Sequence, residues 1–211
     1  MRNRVLKYII TIAAIAFLGY NSVYLRKLDE VKWEPSSNNF DPENFARSFY
    51  HDRLLPHADS ALEVNTLISL LNTDPDNTFK QHSRAAAIGN IRFFLVRGEG
   101  TIAFIGEDAT TVQLKNSQIK SSIHIVTEFV YGNSIRDASG LVNLNDFGSS
   151  SDFNNISESL NKLIRTEVLP QFRKMSKQGM NMRFTGAVEL NQKYMDLDTI
   201  EVVPIRLSII K

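Results

Sequence analysis

The sequence contains no cysteine. Disulfides, thiolate metal sites and cysteine nucleophiles are therefore excluded. It has little surplus charge, since 24 Lys and Arg stand against 23 Asp and Glu and leave a net +1. No basic stripe that could track a phosphate backbone is visible, so no nucleic-acid partner is expected. Glycine is sparse, with 10 in 211 residues. Neither phosphate-loop pattern occurs, and there is no G-x-S-x-G and no H-E-x-x-H. His51, His57, His82 and His124 form no i, i+4 pair. No metal, no cofactor and no catalytic residue are expected. The chain is long enough for one well-buried domain with an appendage.

What is present begins at the N-terminus. Arg2, Arg4 and Lys7 flank the start of an apolar run that continues through Leu18 and weakens towards Leu25. A basic head before an apolar stretch is the form of an export signal. Val5 to Leu25 is about the ~20 residues a helix needs to cross a bilayer. We expect residues 1–28 to be an uncleaved signal-anchor helix and 29–39 a polar linker. Residues 40–211 are then an extracytoplasmic body. This places the protein in the cell inner membrane as a single-pass species, in contact with cytoplasmic-membrane lipid. Trp33, the one tryptophan, falls in the linker.

The body starts as helices and turns to strands. Asp41 is placed to cap a helix with Pro42 in its first turn, and Leu54-Leu55 should end it before Pro56. A second helix is expected from about Asp59 to Leu71, and a short one through Phe79 to Ala87. Alternating apolar residues then predict strands over Ile91–Val96, Thr101–Glu107, Thr110–Leu114 and Ser122–Val130. Gly98 and Gly100 read as a turn or bulge. Asp152 to Lys174 carries a helical apolar stripe that Pro170 kinks or ends. Met182–Leu190 and Thr199–Leu207 close the chain as strands, with Pro204 at an edge or a bulge. The predicted fold class is α+β: an N-terminal membrane-anchor helix, a helical section, then a five-stranded OB-like Greek-key β-barrel. A helix precedes the last two strands.

One stretch concentrates polar groups, from Tyr131 to Phe147. On a strand, Val142, Leu144 and Asp146 would share a face opposite Asn143, Asn145 and Phe147, which is poor amphipathicity. A short strand and a loop are expected there. Two readings fit Arg136, Asp137, Asn145 and Asp146. In one, Arg136 and Asp137 are a buried ion pair or cap set, and Asn145 and Asp146 cap the next helix. In the other they are a binding pocket, where Arg136 holds an anion or Asp137 and Asn145 meet sugar hydroxyls.

The run Gly132-x-x-Ile135-Arg136-Asp137-Ala138, followed by Val142-x-x-Asn145-Asp146-Phe147, carries a resemblance. So do Phe184-x-Gly186-Ala187, Val202-Val203-Pro204-Ile205, the opening Phe40-Asp41-Pro42-x-x-Phe45-Ala46, and Leu54-Leu55-Pro56. In order and spacing the chain resembles the DUF2291 family of predicted periplasmic lipoproteins, from about residue 38 to 209. The resemblance implies a membrane-attached extracytoplasmic domain, often encoded beside sugar uptake transporters, with no agreed catalytic residues. Two departures matter. Tyr20 stands where the resemblance implies a lipid-acceptor cysteine, which favours an uncleaved helix. Gly148-Ser149-Ser150-Ser151-Asp152-Phe153 lacks the Asn-Gln pair it implies.

Three functions compete. The first is a non-enzymatic accessory or binding module, with a sugar transporter or a small carbohydrate ligand as partner. The second is an envelope hydrolase using Asp137, Asp146 or His124. The third is a structural or assembly protein that an exposed apolar patch would favour.

Overall fold

The computed structural model describes residues 40–85, 89–115 and 121–210, together with Thr11 and Phe17. The expected anchor over 1–28 and linker over 29–39 lie outside the described residues, apart from Thr11 and Phe17. Among the described residues no helix is long and apolar enough to cross a membrane. Phe40–Lys211 is one compact unit.

Helix α1, Pro42–Phe49, starts as its sequence dictates. The Asp41 carboxylate accepts from the backbone N–H groups of Glu43 and Asn44, each at 3.0 Å. It does not stop before Pro56. Tyr50–Leu54 winds as a π turn and leads into α2, Leu55–Ala58. Proline lacks an N–H and its ring collides with the carbonyl four residues back. The wider π turn resolves both problems, with Leu55 N–H reaching back five residues to Tyr50 O. The same device recurs beyond α6, Ser150–Leu163. There Ile164–Val168 is a π turn, Leu169 N–H bonds Ile164 O, and Pro170 sits in the first turn of α7, Leu169–Met175. Each proline thus sits within a continuous helical segment; the sequence ends the first before Pro56, which the structure does not, and runs the second to Lys174, which it does.

The helix expected from Asp59 is shorter. Asp59 caps the C-terminus of α2. Leu62–Glu63 then forms strand β1, paired in parallel with Val96 and Arg97. Helix α3 spans Val64–Thr73, and α4 spans Pro75–His82 behind an Asp74 cap. The longer strands are β2 (Ile91–Ile105), β3 (Ala109–Leu114), β4 (Ser122–Val126), β5 (Asn181–Asn191) and β6 (Thr199–Ile210). Pairings run β2–β3–β4–β6–β5 and return to β2, with β4 and β6 parallel. The expected runs Ile91–Val96 and Thr101–Glu107 are one strand, β2, so five strands form this circuit, and two-residue β1 is a sixth. Gly98 and Gly100 do not interrupt β2. A Cβ on Gly98 would lie 2.6 Å from Phe184 Cζ, and one on Gly100 would run into the Gln113 carbonyl. They are sites of close approach within one long coiled strand.

Two large apolar cores result among the described residues. One fills the ring, with Phe94, Ile102, Ile123, Phe184 and Val202, and α3 packs Leu67 and Ile68 against it. The other lies between the helices and the outer face of the sheet, with Phe49, Tyr50, Leu160, Ile164 and Ile205. Pro204 stands at a bulge, as expected. Thr185 pairs with Arg206 but Gly186 pairs with Pro204, which leaves Ile205 without an opposite residue. Before the bulge Ile200 and Val202 belong to the ring core. After it Leu207 and Ile209 pack on that core instead. The inward phase therefore moves from even to odd positions, and Arg206 and Ser208 turn outward.

Candidate functional site

The stretch from Tyr131 to Phe147 holds two short helical turns, with irregular chain between them, where a short strand and a loop are expected. Ser134–Ser139 forms α5, which Gly140 ends at φ +62°. Ala138 packs on Phe93 and Ala187 of the sheet. Arg136 and Asp137 are both buried, with Arg136 Nε donating to Asp137 Oδ1 at 2.8 Å. Arg136 Nη1 donates to the Phe153 carbonyl at 3.0 Å, and its guanidinium lies 3.6 Å from the Phe153 ring centroid. Asp137 Oδ2 is buried with no partner. Arg136 thereby ties α5 to the first turns of α6.

Asn145 and Asp146 lie elsewhere, exposed on the 3-10 turn Leu144–Asp146. Asp146 Oδ2 accepts from Asn143 N at 3.0 Å and completes a capping box. The helix that follows is capped by Ser149, whose hydroxyl accepts from Asp152 N. His124 is half-buried in β4 between Thr111 and Glu201 of the flanking strands, with Nε2 3.0 Å from Ser122 Oγ. Of these residues only Arg136 and Asp137 bond one another. Among the described residues no group of three or more acids and histidines is placed to hold a metal.

A groove of about 400 Å³ lies on the outer face of β2, β5 and β6. Sheet register sets its side chains in two rows, Arg97–Thr185–Arg206 and Glu99–Arg183–Ser208. Asp59 and Glu63 close one side. Arg97 Nη1 donates to the Asp59 carbonyl at 2.8 Å, and its Nε lies 3.2 Å from Glu63 Oε1. Arg206 Nη2 donates to Asp59 Oδ1 at 2.6 Å, and Arg183 Nε pairs with Glu99. Thr185 is buried between the two outer arginines. An adjoining depression of about 310 Å³ shares Arg183, Thr185 and Arg206 and adds Ser208.

Two structural choices make this groove. The bulge at Ile205 aims Arg206 into it, and α2 ends where Asp59 can bond both Arg97 and Arg206. Tyr50 secures the bulge, with its hydroxyl donating to the Ile205 carbonyl at 2.8 Å. Burial pushes the Tyr50 pKa up to about 12, against the nearby Arg206 charge, which lowers it, while Glu167 adds to the rise. The hydroxyl stays a donor throughout the neutral range. Nothing in the sequence singles out Arg97, Arg183 and Arg206, because each looks like an ordinary outward residue on its own strand.

Over residues 13–208 the sequence matches the family described as predicted periplasmic lipoprotein (DUF2291). The chain belongs to the DUF2291 family. No curated protein matches it. A crystal structure of an OB-fold protein from Thermotoga maritima is similar, with a TM-score of 0.72 at 24% identity, covering 82% of this chain and 100% of that one. That likeness shows the OB fold, in agreement with the strand circuit and the helices before β5 and β6. The DUF2291 description gives a periplasmic lipoprotein and names no reaction. This DUF2291 chain has no cysteine to carry a lipid.

Proposed function

We propose that this protein is a non-enzymatic binding module at the periplasmic face of the inner membrane, taking a small carbohydrate as an accessory to a sugar transporter. Its body is read as a small barrel of the OB type, held by an uncleaved N-terminal helix. The single observation that carries binding is the arginine groove. It is concave, polar and open, and its three arginines sit on the adjacent strands β2, β5 and β6. Its ion pairs are half-exposed, with Arg97 and Arg206 side chains 46% and 45% accessible. Such pairs are worth about 0–1 kcal/mol each, so a ligand can exchange for them at little cost.

The hydrolase reading has less support. Asp137 is spent on Arg136, Asp146 on a turn, and His124 lies beside Ser122. Arg136 and Asp137 are better read as a brace between α5 and α6 than as a pocket. A partner surface has its own support. Phe104, Phe129 and Tyr131 are 61%, 61% and 57% exposed, and Phe129 stacks on Tyr131. A transporter subunit would dock there.

Thermal-shift measurement of the full chain in detergent against neutral sugars and sugar acids tests the binding reading. A saturable rise in Tm with at least one carbohydrate is the expected result. No shift across the panel contradicts it.

A further inference from the structure

We propose that the groove is a carboxylate site, built for a small polyhydroxylated monoacid such as a sugar acid; this rests on the binding reading above. A guanidinium presents N–H donors on three nitrogens and accepts nothing. Of the three in the groove, Arg183 and Arg206 each commit one nitrogen, and Arg97 commits two. Arg97 Nη2, Arg183 Nη1 and Nη2, and Arg206 Nε and Nη1 have no partner among the described residues. Every acid in the groove is ion-paired too, each through one oxygen, which leaves three carboxylate oxygens against these five arginine nitrogens. Donors outnumber acceptors, and an acceptor-rich ligand suits the groove.

Charge narrows the choice further. Arg97, Arg183 and Arg206 are balanced by Asp59, Glu63 and Glu99. A doubly charged phosphate would bring two negative charges against three fixed carboxylates. A monoanion can take the donors that remain and leave the acids in place. Planar guanidinium groups match planar carboxylates with paired hydrogen bonds. Register puts Thr185 between Arg97 and Arg206, and Ser208 beside Arg183. These hydroxyls both donate and accept, as do ligand hydroxyls. The second oxygens of Glu63 and Glu99 extend that set.

The arrangement is held from outside the groove. Tyr50 fixes the bulge that aims Arg206, and Asp59 bonds both flanking arginines. A ligand carboxylate between Arg97 and Arg206 would thus meet donors already oriented, which lowers the ordering cost of binding.

The test is isothermal titration of the full chain in detergent with glucuronate, galacturonate, glucose, galactose and inorganic phosphate. It is repeated with Arg206→Gln and Arg183→Gln, both exposed positions that leave the cores intact. The expected result is saturable binding of a uronate, at least about tenfold tighter than the matching neutral sugar, and weakened about tenfold or more in either variant. Equal binding of neutral sugar and uronate, unaffected by the variants, overturns the carboxylate site and leaves carbohydrate binding standing. Binding of phosphate in preference to uronate overturns the monoacid class. Binding of nothing in the panel overturns both the site and the carbohydrate reading.

Discussion

The Tyr50 hydroxyl reaches the Ile205 carbonyl at 2.8 Å, across 155 positions of sequence. The residue it holds is the one that shifts β6 out of phase. A helix in the first quarter of the body thus fixes which way the last strand points its arginine. Tyr50→Phe removes the donor and leaves a buried carbonyl unpaired. The variant should lose about 1–3 kcal/mol in urea unfolding. It should also weaken whatever the groove binds, though Tyr50 lines no part of it.

The same hydroxyl sets an alkaline limit. Its pKa rises from 10.0 to about 12 on folding, chiefly through burial. The folded state holds the proton more tightly, so the contribution is complete below pH 10. It is lost as pH rises from 10 to about 12, and is on the order of 2 to 3 kcal/mol. Unfolding free energy followed between pH 9 and 12 should fall through that window in wild type. In Tyr50→Phe this component of the fall should be absent.

Arg136 and Asp137 predict a large and non-additive loss. Removing one partner of a buried pair leaves an uncompensated charge and costs about 3–5 kcal/mol. Asp137→Ala and Arg136→Met should each unfold at clearly lower denaturant. The double variant should be less destabilised than the sum of the two, because neither charge is then stranded. Unchanged stability in Asp137→Asn together with loss of ligand binding would instead return the pocket reading to these residues.

Gly140 ends α5 at φ +62°, with Arg84 Nε 2.8 Å from where a Cβ would stand. Gly140→Ala should cost about 1–2 kcal/mol from backbone strain, plus whatever Arg84 loses in moving aside. Thermal unfolding monitored by circular dichroism would show it as a lowered Tm. An unchanged Tm would mean the turn relaxes without cost.

Much of the scaffold was legible where local chemistry decides. The Asp41 cap, the α6 stripe and the bulge at Pro204 all follow from side chains acting on their neighbours. Pro56 misled because a π turn is a compromise between a proline and the packing around it, and packing is not local; the helix expected through Pro170 to Lys174 does run on. The polar run at Tyr131–Phe147 attracted attention because its residues are close in sequence. In the structure it divides between a buried brace and an exposed capped turn. The groove was hidden for the opposite reason, since Arg97, Arg183 and Arg206 come from three distant segments. One trace of it was present. Glu201 separates Ile200 from Val202, whereas Arg206 and Ser208 flank Leu207, and that change of phase from even to odd marks the bulge.

Amide and arginine side-chain NMR of the full chain in detergent, titrated with glucuronate, locates the ligand most directly. Saturable shifts centred on Arg97, Thr185, Arg183 and Arg206 are expected, with Arg136, Asp137, Asn145 and Asp146 unmoved. Shifts centred on Arg136–Asp146, with the three strand arginines silent, would contradict the groove site.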